Sequence, residues 1–301
     1  MSGKDESVFS KSALMSTKAG KKVMKQGFFK SKGFKQFNQY KEEAEQKFPE
    51  FAKRFTNNLL EQIKNDSSAN STQQEFAEEV GSTEIILDSS EIDPIRAKLE
   101  NFDVLHDRVL RILNSNFVKM TFPVFNALFD ASTNYFDDKN ESSLREDIVD
   151  GHIIAIDLSE PMDRIVDKDE DLDYLDDYKL MNPYILNIAR EKIAKGGEEV
   201  LKQFENGFKD ARIGQYLDTK LKQNPAAITD KKLDESYKKY RSVMGTAGSN
   251  MALSREPLGE IFRTGMGKAS ESVGCGNEIE DSIRDKAVKI PSWPLYYSLS
   301  T

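Results

Sequence analysis

Residues 93–136 read DPIRAKLENFDVLHDRVLRILNSNFVKMTFPVFNALFDASTNYF. Apolar residues recur in this stretch at spacings of three and four, which predicts an amphipathic helix. Asp93 is a favourable N-cap residue and Pro94 a favourable first residue, so we expect the helix to begin there. Such a helix of about 40 residues would be roughly 60 Å long, with a kink at Pro123. That length is typical of an elongated coiled-coil-like bundle.

Three other stretches share the helical periodicity, namely 37–63, 183–222 and about 229–245. Pro49 should kink the first of them or begin a new helix, because proline lacks the amide donor that the preceding turn expects. Gly196 and Gly197 should bend the second. The apolar stripe of the second includes Phe204, Phe208, Tyr216 and Leu221.

The segments between these helices are less regular. Residues 65–74 have the polar composition of a loop. A short element follows at 75–87, in which residues 84–87 fit either a helix end or a strand. Residues 153–158 fit either a strand or a buried piece of helix. The fold class predicted from the whole pattern is mainly α, an elongated kinked helical bundle.

Charge is distributed unevenly along the chain. The net charge is -8, but residues 1–40 carry nine lysines against Asp5 and Glu6, so this part is +7 and residues 41–301 are -15. A basic arm on an acidic body indicates that the arm binds a polyanionic surface, either a membrane or a nucleic acid. Charged residues make up 31% and hydrophobic residues 38% of the chain, a balance that favours an extended shape.

The basic arm combines lysines with apolar residues. Eight lysines and no acid lie between Lys11 and Lys35. On a helix, the first five of these lysines fall within an arc of roughly 100°, opposite a weakly apolar side, which is typical of a helix in the membrane interface. The phenylalanines after Gly27 would be insertion anchors. The candidate membrane-binding residues of the arm are Phe9, Lys11, Lys18, Lys21, Lys22, Lys25, Phe28, Phe29, Lys30, Lys32 and Lys35. A solvated tail, or a helix packed on the acidic body, remains the alternative.

Residues 137–178 contain sixteen acids and four bases, which predicts a solvated acidic loop. Alternating aspartates from Asp167 onward are reminiscent of a calcium-binding loop. However, Leu172 stands where the loop requires Gly and Tyr178 where it requires a bidentate Glu, so we expect no calcium site. The region could instead be a dock for the arm or a site for a partner.

No catalytic motif is present in the sequence. His106 and His152, the two histidines, belong to no metal-spaced cluster. Residues 265–270 lack the Gly and the hydroxyl residue that a phosphate loop needs. Cys275 is the single cysteine, so an intramolecular disulfide is excluded. We therefore expect a protein that is not an enzyme and that uses no metal and no cofactor.

Three regions follow from these patterns: a basic amphipathic segment at 1–36, a helical bundle at 37–248, and a Gly/Ser-rich and aromatic tail at 249–301. The tail would either dock back on the body or be bound by a protein partner. No apolar run is long enough to cross a bilayer, and the start MSGKDESVFS lacks the apolar core of a signal peptide. These features predict a cytoplasmic protein, peripherally attached to a membrane.

A basic amphipathic start followed by long helical stretches at 93–136, 183–222 and 229–245 resembles the pattern of BAR-domain proteins. The resemblance covers roughly residues 8–245 and includes no diagnostic motif. It implies a crescent-shaped antiparallel homodimer of three-helix coiled coils that binds curved anionic membranes, with the arm as a wedge. It also implies a second membrane contact at a cationic helix–helix turn formed by Lys220, Lys222, Lys231 and Lys232.

The function predicted from the sequence is therefore peripheral binding of anionic phospholipid membranes, with sensing or shaping of curvature by a homodimer. The alternative is a soluble helical scaffold whose basic arm docks on its own acidic region. Nucleic-acid binding ranks below both, because the arm has no Arg and the chain has no base-reading module.

Overall fold

The structure is a computed structural model, which describes residues 32–80, 87–113, 117–137, 143–157, 174–224, 227 and 229–288. The structure is about 90% helical, and its described part contains no strand. The prediction of a mainly α fold is confirmed. The arm up to residue 31 and the aromatic tail from residue 289 lie outside the described residues.

The described residues form eleven α-helices. These are α1 (Lys32–Asn65), α2 (Ala69–Val80), α3 (Ser89–Leu99), α4 (Phe102–Leu113), α5 (Phe122–Phe136), α6 (Arg145–Asp157), α7 (Leu175–Ala194), α8 (Glu198–Gln223), α9 (Asp230–Ser236), α10 (Lys238–Met251) and α11 (Leu258–Val288). A π-helical segment, Phe117–Thr121, precedes α5.

Helix α6 lies at the centre of the core. All ten residues from Ile148 to Asp157 are buried, because α5, α7 and α10 pack around the helix. A helix that is enclosed on every side belongs to a core rather than to a surface. The region 137–178, predicted as a solvated acidic loop, therefore contains a buried helix. The helical alternative for residues 153–158 is correct for 153–157.

A cluster of phenylalanines fills the space between α1 and the start of α5. The ring centroid of Phe117 lies 5.3 Å from Phe48, 4.7 Å from Phe51 and 5.2 Å from Phe122. Phe117 is completely buried. Close aromatic packing of this kind holds the π-helical segment against α1.

The stretch 93–136 does not form the single long helix that its periodicity predicts. Its first helix begins earlier, because Asp88 is the N-cap and forms a capping box with Glu91, so Pro94 lies inside α3. The chain breaks at Asn101, whose side-chain oxygen accepts hydrogen bonds from the amides of Asp103 (3.0 Å) and Val104 (3.4 Å). This cap starts α4 in a new direction.

Other helix boundaries agree in part with those predicted from the sequence. Helix α1 continues through Pro49 as one element of 34 residues, so no new helix begins there. The predicted loop at 65–74 is reduced to residues 66–68, because α2 begins at Ala69. The break at Gly196 and Gly197 is confirmed, and Gly197 has a left-handed φ of 104°.

The predicted tail at 249–301 begins inside α10 and contains the 31-residue helix α11. Glycines bring these two helices close together. A Cβ atom on Gly248 would lie 2.6 Å from the carbonyl oxygen of Phe262, and one on Gly274 would lie 2.6 Å from the ring of Tyr240. The glycines that suggested a loop are thus contact residues in a helical hairpin.

Gly248→Ala should lower the free energy of unfolding by about 1–3 kcal/mol, because the added Cβ overlaps main-chain atoms that cannot move independently. Urea denaturation measures the change. The control is Gly265→Ala on α11, where the added Cβ meets no atom within 4 Å. That substitution should be neutral or stabilise by up to about 1 kcal/mol. Equal stability of the two variants would contradict the close packing of α10 on α11.

Candidate functional site

Helix α8 separates its charges between two sides. Two of its acids form ion pairs with neighbouring helices: Glu205 with Arg190 of α7 at 2.6 Å, and Asp218 with Lys239 of α10 at 2.7 Å. Three of its lysines are exposed roughly opposite Asp218, and Glu205 lies at the edge of the side that carries them, where it is paired with Arg190. The paired acids therefore do little to offset the charge of that side.

The exposed side of α8 is a regular stripe. Its residues follow one another at spacings of four, three, four, three and four, which places them within an arc of about 80° over about 27 Å. No acid falls in this arc between its first and last members. The members, which we call the α8 outer stripe, are Lys202, Asn206, Lys209, Ile213, Tyr216 and Lys220.

Two large apolar side chains stand in the middle of the stripe. Ile213 is 48% exposed and Tyr216 is 57% exposed. The ammonium nitrogen of Lys220 lies 4.4 Å from the centroid of the Tyr216 ring, within cation–π distance. The stripe thus combines cations with apolar surface that the described part of the protein leaves in contact with solvent.

Two glycines on α8 determine which of its faces turns outward. Gly207 and Gly214 are seven residues apart and lie against α10, where an added Cβ would overlap Thr246 and the backbone of Lys239, respectively. The close approach fixes the rotation of α8 about its axis. The opposite side of the helix is therefore held toward solvent.

The lysines of the predicted second cationic contact lie near the turn between α8 and α9. Lys220 is exposed on the last turns of α8, and Lys231 and Lys232 are exposed at the start of α9. Thr229 caps α9 by accepting from the Lys232 amide at 3.3 Å, and the Lys232 ammonium donates to the Ala227 carbonyl at 3.0 Å. Because α8 and α9 are in contact, these three lysines lie on adjoining helices. The side chain of Lys222 is outside the described set.

The predicted arm residues are mostly beyond the described part of the chain. Phe9, Lys11, Lys18, Lys21, Lys22, Lys25, Phe28, Phe29 and Lys30 all precede residue 32. Lys32 is the first residue of α1, and Lys35 is exposed on its first turn. The structure therefore locates the point at which the arm is attached to the body.

Sequence reasoning missed five members of the stripe: Lys202, Asn206, Lys209, Ile213 and Tyr216. It assigned Tyr216 to the apolar face of the helix, together with Phe204 and Phe208, which are indeed buried. On a helical wheel Tyr216 lies roughly 80° from Phe208 and roughly 120° from Phe204. The signal available in the sequence was this angular offset of Tyr216 from the buried phenylalanines. A second signal was that Lys202, Lys209 and Lys220 lie at nearly the same angle as Tyr216.

The buried histidine does not belong to a catalytic arrangement. Burial lowers the pKa of His152 to about 3, so the ring is neutral. Its Nε2 lies 3.0 Å from the amide nitrogen of Asn250, which also donates to the Val200 carbonyl. Phe125 and Phe204 approach the ring edge-on. The interactions described hold α6 against α8 and α10 and present no nucleophile.

Asp150 is another buried titratable group of α6, and it borders a cleft of about 380 Å³ beside α1. Burial raises the pKa of Asp150 to about 6, although the charges of Lys192 and Arg54 oppose the rise. The Asp150 carboxylate accepts from Arg54 at 2.8 Å and lies 3.6 Å from Lys192. Both cations are thus engaged in ion pairs that join α6 to α1 and α7.

The described residues contain no group of three or more His, Cys, Asp or Glu side chains able to hold a metal ion. Within the same residues, no helix combines the length and the hydropathy needed to span a bilayer. Comparison with models of protein families, with characterised proteins and with solved structures finds no match.

Asp150→Asn tests the unusual titration of the core carboxyl. Because its folded-state pKa of about 6 lies above the unfolded value of 3.8, Asp150 stabilises the fold most at low pH, and this contribution is lost as pH rises from about 4 to about 6. Relative to the parent, Asp150→Asn should gain up to about 3 kcal/mol between pH 4 and pH 7. Denaturation at both pH values measures the change.

Asp147→Asn is the matched control on the same helix. Burial favours a higher pKa for Asp147, but bonds from Lys195 and Lys192 outweigh it and hold the pKa below the usual value. This carboxylate stabilises the fold above pH 4 and loses that effect as the pH falls. The stability difference between variant and parent should therefore change with pH in the opposite direction. If the stability differences of both variants changed with pH in the same direction, the raised pKa of Asp150 would be refuted.

Proposed function

We propose that this protein binds anionic membranes peripherally, with the basic arm and the α8 outer stripe as its two contacts. The α8 outer stripe is the observation that carries the proposal. Its arc on the helix surface carries Lys202, Lys209 and Lys220 and no acid, and it exposes Ile213 and Tyr216 at its middle. Cations around partly exposed apolar side chains are typical of surfaces that bind the headgroup layer.

Electrostatic attraction is expected to supply much of the binding. Each lysine near a charged leaflet contributes about 1 kcal/mol, so the three lysines of the stripe would contribute roughly 3 kcal/mol. Insertion of Ile213 and Tyr216 into the headgroup region adds a term that salt does not screen. A surface of this strength alone gives weak and reversible attachment.

The arm raises the affinity because it is linked to the same body. Once one contact has engaged the bilayer, the other faces it at high effective concentration. Lys220, Lys231 and Lys232 at the turn between α8 and α9 extend the cationic surface beyond the stripe. The further proposal of a curvature-sensing homodimer rests on the resemblance to BAR-domain proteins.

Reversing two charges of the stripe should weaken binding strongly. Lys202→Glu combined with Lys209→Glu replaces two attractions by repulsions, so affinity for phosphatidylserine-containing vesicles should fall at least about 25-fold. Vesicle co-sedimentation measures it. The control, Lys53→Glu with Lys64→Glu, makes the same change in net charge on exposed lysines of α1. An equal loss in both variants would assign the effect to net charge rather than to the stripe.

Removing the arm distinguishes its contribution to membrane binding from that of the α8 outer stripe. A chain starting at Gln36 lacks every lysine of the arm and keeps the stripe. It should bind anionic vesicles more weakly than the full chain, with a smaller dependence on salt, because fewer cations take part. Co-sedimentation at two salt concentrations measures both effects. Binding that does not depend on anionic lipid, in either protein, would exclude the proposed function.

A further inference from the structure

A groove of about 710 Å³ runs between the C-terminal half of α1 and helix α7, well within the range of ligand sites. Its walls are mostly polar. Amide side chains line it from both helices: Asn58, Gln62 and Asn65 from α1, and Asn187 from α7. Within the described residues, Asn58 and Asn65 have no hydrogen-bond partner for their side chains.

The spacing of these amides suits an extended peptide. The three on α1 are four and three residues apart, which is about 6 Å and about 4.5 Å along the helix axis. An extended chain repeats every two residues, about 6.6 Å. A side-chain amide offers one donor group and one acceptor, as a peptide unit does. Gln62 already donates to Glu191 at 3.4 Å and accepts from Asn187 at 3.2 Å. Asn58 and Asn65 are therefore the amides of α1 that can bond peptide units of an extended strand.

The groove also carries uncompensated negative charge. Glu61 and Glu191 are exposed at its edges, and Asp66 closes one end. The two lysines of the lining, Lys192 and Lys195, lie 3.2 and 3.0 Å from Asp147 outside the groove, so one of their two charges is offset there and the three acids of the lining outweigh the remainder. A basic peptide is thus favoured over an acidic one.

Asp66 is held in its charged form. Burial favours a higher pKa for this carboxyl, but hydrogen bonds from Thr72, Ser68 and Tyr184 outweigh it and lower the pKa. The Tyr184 hydroxyl donates to Asp66 at 2.8 Å and the Thr72 hydroxyl at 2.6 Å. These bonds also fix the turn between α1 and α2. The negative end of the groove is therefore built into the fold.

The basic arm of the same chain has the length and charge to reach this groove. Asn58 lies about 39 Å along α1 from Lys32, at 1.5 Å per residue. Lys18, fourteen residues before Lys32, can extend to about 48 Å, whereas Lys25 reaches only about 24 Å. Lys11, Lys18 and, at full extension, Lys21 can therefore meet the groove, and Lys25 falls short of it.

We propose that the part of the arm from Lys18 to Lys21 binds in this groove in extended form, antiparallel to α1, with its lysines against Glu61 and Glu191. These four residues span about 10 Å, which matches the roughly 12 Å of α1 between Asn58 and Asp66. Bound there, this part of the arm cannot lie in a membrane, so the groove regulates membrane attachment. The regulatory step rests on the proposed function, whereas the docking itself does not.

Carbodiimide cross-linking of the full-length protein in the absence of lipid tests the docking directly, because it joins amines to carboxylates that are in contact. Mass spectrometry should find Lys18 or Lys21 joined to Glu61 or Glu191, and Lys25 joined to neither. Mixing isotopically labelled and unlabelled protein identifies cross-links within one chain. Links only between chains, or links spread evenly over surface acids, would overturn the proposal.

Asn58→Ala with Asn65→Ala tests the amide wall while it keeps both carboxylates. The yield of these cross-links should fall at least about fivefold, the lower end of typical coupling effects. An unchanged yield would show that charge alone holds the arm and would overturn the extended-peptide geometry. Circular dichroism and thermal denaturation confirm that the variant folds.

Glu61→Gln with Glu191→Gln tests the regulation. Release of the arm should raise affinity for phosphatidylserine-containing vesicles at least about fivefold. The control, Glu75→Gln with Glu78→Gln, changes two exposed acids of α2 and should have no such effect. Equal effects in both pairs would refute regulation by the groove. Cross-links without any vesicle binding would contradict the membrane proposal and leave the docking intact.

Discussion

The burial of helix α6 is the constraint on which the other helices depend. Its enclosed segment carries Asp150, His152 and Asp157, and buried polar groups are costly unless they are paired. Arg54 of α1 and Lys192 of α7 are the ion-pair partners of Asp150, and Asn250 of α10 is the partner of His152. Helices from the first, middle and last parts of the chain therefore have to meet around α6.

The sequence predicted the features that are local. Gly196 and Gly197 separate α7 from α8, and the helix expected from about Thr229 begins there as α9, because backbone freedom and capping act within a few residues. The sequence failed for the acidic first half of α6, where the acids of residues 137–178 suggested a solvated loop. Whether an aspartate is exposed or paired in a core depends on cations about 40 to 100 residues away, which no local pattern shows.

The candidate surface was also predictable only in part. The resemblance to BAR-domain proteins implied a contact at lysines near the turn after α8, and Lys220, Lys231 and Lys232 are exposed there. The rest of the stripe was missed because periodicity gives the faces of a helix and does not say which one a neighbour covers. The close approach of α8 to α10 at Gly207 and Gly214 makes that choice. In residues 93–136, the capping side chain of Asn101 interrupted a periodic pattern in a comparable way.

The glycine-lined hairpin of α10 and α11 bears on the order in which the chain folds. Its two helices adjoin in sequence, so their contacts require only a short loop to close. By contrast, the bond between Arg54 and Asp150 joins residues 96 apart, and that between His152 and Asn250 joins residues 98 apart. Local contacts form faster than distant ones because less chain entropy is lost in making them. The C-terminal hairpin is thus expected to form early, and the enclosure of α6 to be the late event in folding.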